Sequence, residues 1–228
     1  MSTIALVPMR AGSERIPGKN TKTIAGKPLC YWMLDALLQS NLVDGVWVST
    51  ESEEIITIVR ELFPQDVYWH SRPQYLSSDD ATTEEVMLEF MRHREADTLV
   101  TAQVTSPLTT SKDIDSALRV YHNLRYDSML SVVRKRQFVW REYRDIVTPM
   151  NYDPYYRPLS QDWDGSLFEN GAFYITNTKQ LERTKSRLCG RVGAYVMPSY
   201  TGIELDEPED WFIVEQLLYK YKGDQCNG

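Results

Sequence analysis

The stretch VWVSTESEEIITIVREL, residues 46–62, joins a continuous apolar run to an amphipathic one. Val46, Trp47 and Val48 are β-branched or aromatic with no polar residue between them, the pattern of a strand buried on both faces. Ile55, Ile58, Val59 and Leu62 then recur at helical spacing and fall on one face. The same unit stands on either side. Before it come IALV at 4–7, ending at Pro8, and LCYWMLDALL at 29–38. After it come a strand at 67–69, a helix across TTEEVMLEFMRHR, a strand near 98–104 and a helix opened by TTSKDIDSALRVY. Strands alternating with helices of this length connect by crossovers, which predicts an open α/β sandwich whose mostly parallel sheet is covered by helices on both faces. FYIT at 173–176 and YVMP at 195–198 read as further strands. DEPEDWFIVEQLLYKY is a final helix with Pro208 in its first turn, and the last six residues read as frayed.

The 228 residues carry 25 Lys and Arg against 32 Asp and Glu, and a net charge of -7 speaks against a general nucleic-acid binder. With 42% hydrophobic and 25% charged residues the composition is that of a folded chain rather than a disordered one. Such a length buries roughly 70–75% of the unfolded surface, so residues 1–228 read as one domain. Cys30, Cys189 and Cys226 have no metal-ligand or redox-pair spacing and read as reduced thiols. The apolar start is too short for a signal segment, and no run approaches the roughly 20 residues that cross a bilayer. The expectation is a cytoplasmic protein with neither a membrane nor a nucleic acid as partner. Residues 138–174 hold ten aromatics, against 14 Tyr, 6 Trp and 6 Phe in the whole chain, and periodicity disappears there. An insertion at about 134–172 is read as an interface in preference to a lid. The basic run RKRQFVWREYR, with its interleaved apolar residues, belongs to that interfacial face.

The first strand is followed by RAGSERIPGKN, Arg10 to Asn20, just outside the carboxyl end of a sheet strand, where open α/β folds bind ligands. Its backbone N–H groups suit phosphate oxygens, and Arg10, Arg15 and Lys19 suit the charge. Gly12 and Gly18 are one residue too far apart for a Walker A loop, Asn20 follows Lys19, and GxGxxG is absent. Taken alone, a basic glycine-containing loop is more often a solvated turn.

Six segments change that balance. Residues 4–28 (IALVPMRAGSERIPGKNTKTIAGKP), VSTESEEI at 48–55, RPQYLSSDDATT at 72–83, AQVTSPL at 102–108, DSMLSVVRKRQFVW at 127–140 and QDWDGSLFENGAFYIT at 161–176 appear in order. They resemble acylneuraminate cytidylyltransferases, the enzymes that make CMP-sialic acids, and the QDWDG and ENGAFY block is most similar to the animal-type members. The resemblance implies a Rossmann-like fold, CTP and a nine-carbon 2-keto acid sugar as substrates, and a homodimer whose inserted arm reaches the partner's site. It implies catalytic roles for Arg10, Lys19 and Asp206, with Arg10 and Lys19 on the triphosphate. Gly12, Ser13, Asn20, Arg72, Ala81, Thr83, Gln103 and Ser106 would hold the nucleotide, and Gln103, Arg157, Gln161, Glu169 and Asn170 the sugar.

By the same resemblance GIELDEP is the family's paired-acid segment, and Glu204 and Asp206, two apart on an extended chain, would share one side and hold Mg2+. The implied reaction is in-line attack of the sugar's anomeric hydroxyl on the α-phosphorus of CTP, expelling pyrophosphate, with no covalent enzyme intermediate. Two departures stand out. An arginine-rich stretch precedes QDWDG in the animal-type enzymes, whereas here only Arg157 remains ahead of Pro158, Leu159 and Ser160. Glu14 stands where many members carry lysine, which suggests that Arg15 takes over the charge or pairs with Glu14. The sequence leaves open N-acetylneuraminate, Kdn, legionaminate or pseudaminate as acceptor, and leaves a CMP-Kdo synthetase or a non-catalytic nucleotide-sugar sensor as alternatives.

Overall fold

The computed structural model describes residues 1–12, 15–159 and 161–226. Its centre is a seven-stranded sheet built from β1 (Thr3–Pro8), β4 (Gly45–Thr50), β5 (Val67–Ser71), β6 (Thr98–Ala102), β7 (Ser128–Lys135), β10 (Ser166–Asn177) and β11 (Val192–Met197). The strand order is β11-β7-β10-β6-β1-β4-β5. All neighbours are parallel except that β10 runs against both β6 and β7. Two small ribbons lie outside the sheet: β2 (Thr23–Ile24) with β3 (Lys27–Pro28), and β8 (Trp140–Tyr143) with β9 (Ile146–Pro149).

At the centre of the sheet both faces are covered, while the edge strands β5 and β11 leave Tyr68, Trp69, Val192 and Val196 exposed. On β1, Ala5 and Val7 join the larger core with α1 (Leu29–Leu38), α2 (Glu53–Leu62), α4 (Ser111–Asn123) and α6 (Pro208–Cys226). Ile4 and Leu6 point the other way, against Met87, Phe90 and Met91 of α3 (Thr83–Met91) and Leu181 of α5 (Thr178–Thr184). Helix starts are fixed locally. Ser52 caps α2, and Thr82 and Thr110 form reciprocal capping boxes with Glu85 and Asp113, each cap contributing about 1 kcal/mol. The sequence reading lacked β7, whose Ser128, Ser131 and Arg134 interrupt its apolar run, as well as α5 and both small ribbons. It also ended the last helix early, since α6 continues to Cys226 past an irregular Lys222 with φ -128 and ψ 22. The aromatic stretch leaves the sheet after Lys135 and rejoins it at Ser166. Between them Trp140, Tyr143, Ile146, Val147, Tyr155 and Tyr156 are all exposed.

Candidate active site

A cleft of about 370 Å³ opens at the carboxyl ends of β1, β5 and β6. Three loops build it. The first leaves β1 and is pinned to β4 by Met9 N–H donating to Ser49 O (2.9 Å) and Ala11 N–H donating to Glu51 Oε1 (2.8 Å). It folds back on itself where Asn20 Nδ2 donates to Arg10 O at 2.9 Å. The second runs from Arg72 at the end of β5 to the capped start of α3, and the third follows β6 from Gln103. Arg10, Gly12, Lys19, Asn20, Arg72, Ala81, Thr83 and Gln103 all line the cleft, as do Arg15, Asp79 and Thr82. Ser13 and Glu14, and Ser160 on the arm, lie outside the described residues. Arg72 is buried, with its guanidinium donating to Ser49 Oγ (3.2 Å) and Ser49 O (2.7 Å). Burial pushes Arg72 below the usual guanidinium value, and the charge of Glu51 opposes that shift.

Acids from the far end of the chain meet this loop. Leu205 N–H donates to Thr105 O at 3.1 Å, which lays the segment before α6 along the cleft wall. Lys19, only 12% exposed, donates to Asp206 Oδ1 at 3.1 Å and to Leu205 O at 3.0 Å. Arg15 does take an acidic partner, Glu207 at 2.9 Å, and that hydrogen bond raises its already high pKa further. Arg10 pairs with Asp79 across the mouth. Each cation of the loop therefore rests on a carboxylate. Burial, then Asp206 and Glu169, push Glu204 above the usual carboxylate range. Among the described residues no group of three or more His, Cys, Asp or Glu side chains could hold a metal ion, so a divalent cation there would need phosphate oxygens and water to complete its coordination. The donor set fits that ion.

Not every expected residue faces the cleft. Ser106 is buried and its hydroxyl donates to Asn170 O at 3.3 Å, so it ties two loops together instead of lining the nucleotide pocket. Asn170, 1% exposed, turns its amide inward onto Thr201 Oγ1 (3.2 Å), away from a sugar. The cause is a wide bulge, in which Asn170 to Phe173 of β10 face the single residue Ser131 of β7. Gly171 sits in the bulge at φ +61. Glu169 accepts from Tyr174 Oη at 2.9 Å and is near enough to Glu204 to raise its pKa. Arg157 and Gln161 lie on the arm and line no part of their own chain's cleft; Arg157 stacks over Phe138, 4.2 Å from its centroid. Asp79, Tyr174 and Arg187 were missed as contributors, although Asp79 and Tyr174 stand inside the segments that carry the resemblance.

The family model described as Cytidylyltransferase matches residues 4–215. N-acylneuraminate cytidylyltransferases A and B of Danio rerio are 36% and 37% identical over 95% of the chain. The chain spans about half the length of these relatives, 51% in both cases. Among solved structures, a CMP:2-keto-3-deoxy-manno-octonic acid synthetase complexed with CTP superposes with a TM-score of 0.68 at 19% identity, covering 96% of this chain and 99% of that one. That likeness is one of fold. With the cleft at the ends of parallel strands and the family model spanning nearly all of the sequence, the chain belongs to the cytidylyltransferase family.

Proposed function

We propose that this chain transfers CMP from CTP to the anomeric hydroxyl of a sialic-type nonulosonic acid, N-acetylneuraminate or its deaminated relative Kdn, releasing pyrophosphate. The carrying observation is the 3.1 Å approach of Lys19 to Asp206 beside a cleft lined by Arg10, Arg72 and Gln103. The named relatives support the choice of nucleotide and acceptor. In this reading Arg72 and Thr83 hold the cytidine half, while Arg10, Lys19 and the N–H groups of the first loop receive the triphosphate. Binding exchanges the ion pairs Arg10–Asp79 and Lys19–Asp206 for contacts to phosphate, which frees the carboxylates. Glu204 and Asp206 would then hold Mg2+, which supplies charge neutralisation and acidifies a coordinated hydroxyl. The sugar oxygen forms a bond to the α-phosphorus as the bond to pyrophosphate breaks, and the hydroxyl proton passes to solvent. Lys19 stabilises the charge that builds on the departing oxygens.

The acceptor side is incomplete in one chain. Arg157 and Gln161 are assigned to the cleft of a second copy, reached by the exposed arm, so the working unit is a homodimer in the cytoplasm. Pyrophosphate release from CTP, measured across N-acetylneuraminate, Kdn, legionaminate and pseudaminate with and without Mg2+, tests the proposal. Release that requires both a nonulosonic acid and the metal supports it. CTP binding without release under every condition would leave a nucleotide-binding protein instead.

A further inference from the structure

Behind the acid end of the cleft runs a series of contacts that the reaction as described does not use. Glu84 follows Thr83, which lines the cleft, in the first turn of α3. Its carboxylate accepts from Arg187 Nε at 2.8 Å, both side chains being largely shielded, at 22% and 24% exposure. The Arg187 guanidinium also lies over the ring of Tyr174, 4.7 Å from its centroid. Arg187 O is fixed in turn by Thr176 Oγ1 at 2.9 Å. Tyr174 is buried, and its hydroxyl donates to Glu169 Oε2 across the β10 bulge. Burial and the bond to Glu169 push the Tyr174 phenol up to about 12, so it remains a donor throughout the neutral range. That hydrogen bond holds one oxygen of Glu169, whose charge acts on Glu204.

We propose that Arg187 is a positioning residue that, through Tyr174, fixes the Glu169 carboxylate at the acceptor side of the cleft and, through Glu84, ties that side to the nucleotide wall. A guanidinium suits the task because one plane both stacks on a ring and donates along its edge, which an ammonium does less well. The inference rests on the proposed transferase reading, and its test separates the two. In the ligand-free protein, hydrogen exchange should rise by about fivefold or more in peptides covering 82–86 and 169–174 on Arg187→Met, with 45–62 unchanged. Glu84→Gln, which breaks the same pair from the other side, should raise exchange at 82–86. In turnover, Arg187→Met should raise KM for N-acetylneuraminate about tenfold while the Kd for CTP, measured by calorimetry, stays within about twofold. Arg187→Lys should recover part of that loss, and Arg187→Met combined with Tyr174→Phe should cost no more than the worse single change. Unchanged exchange at 169–174 overturns the inference whatever the catalytic outcome. A uniform fall in kcat with both substrates' affinities intact, or full additivity of the two changes, also overturns it. Absence of pyrophosphate release by the unaltered protein counts against the transferase reading alone, and the exchange experiment then decides the role of Arg187.

Discussion

At Gly171 the chain turns through φ +61, and a Cβ there would stand 2.9 Å from Glu204 Oε1. Gly171→Ala therefore carries two penalties: about 1 kcal/mol for a left-handed alanine, and displacement of a carboxylate assigned to the metal. A lower melting temperature together with a loss of about tenfold or more in kcat/KM is expected. A normal kcat/KM in a destabilised protein would separate Glu204 from the reaction. Asp206 is the sharper case, because it binds Lys19, a residue that lines the cleft although 187 positions away in the chain. Asp206→Ala should lower kcat by about 100-fold or more, read as pyrophosphate release at saturating CTP, and retained turnover would remove it from the metal site. The first loop was legible from the sequence because residues just after a strand of an open α/β sheet lie at its carboxyl end, whereas Arg72, Ala81, Thr83 and Gln103 were named only through the family resemblance. Ser106 and Asn170 turn inward onto Asn170 O and Thr201 Oγ1, and spacing alone does not tell which way a loop residue or a residue of a bulged strand faces. Arg187 left no signal, since its partner Glu84 lies on a helix that only the folded chain brings alongside.

Among the elements, the helices were the most readable, because caps and apolar spacing are local. The link from α1 to α4 is not local, and it depends on Asp115. Ser40 Oγ donates to this carboxylate at 2.5 Å, Asn41 N–H at 3.1 Å and Asn41 Nδ2 at 3.2 Å, while Arg119 approaches to 3.5 Å. Burial alone would raise the pKa of Asp115, but the hydrogen bonds and the Arg119 charge outweigh it and hold the group below its ordinary value. A depressed folded pKa contributes stability that is present above the unfolded value of about 3.9 and is lost as pH falls through the folded one. Asp115→Asn should thus cost about 1–2 kcal/mol at neutral pH and progressively less in acid. Urea melts at pH 7 and near pH 3 check this, and a penalty independent of pH would assign the effect to shape rather than charge. The β8–β9 hairpin escaped the sequence reading because its turn residues, Arg144 and Asp145, take φ of 47 and 58 without a glycine to announce them. Replacing them by Asn-Gly should stabilise the hairpin by about 1 kcal/mol, seen as slower hydrogen exchange at 140–149; faster exchange would mean that the arginine makes a contact the turn needs.

For the molecule as a whole, the covered centre of the sheet follows from the apolar residues of β1 and β4 and the helices on either face, while the arm follows from no core at all. It buries its aromatics partly on each other: Phe138 stacks on Trp163 at 4.7 Å and tilts against Tyr152 at 4.2 Å. That local cluster anchors Arg157, yet Ile146 and Tyr156 remain 67% and 83% exposed. An apolar surface of this kind on a projecting ribbon is costly to leave in water and is suited to a second copy of the chain. Its periodicity was unreadable because side chains that pack on one another in a short ribbon, outside the sheet and its helices, follow neither the helix nor the strand rule of the core. If the arm dimerises the protein, Ile146→Glu with Val147→Glu should weaken association by about 30-fold or more, the effect of losing one interface hot spot of about 2 kcal/mol. The thermal stability of the sheet should scarcely change, because neither residue touches the core. Light scattering over a dilution series reads the first effect and a thermal melt the second, and pyrophosphate release should fall as well, since on the dimer reading a monomer leaves Arg157 without a partner's cleft to enter. A charged variant that is monomeric and fully active would show that one chain suffices, and would require the sugar carboxylate to be held by a cation of its own cleft.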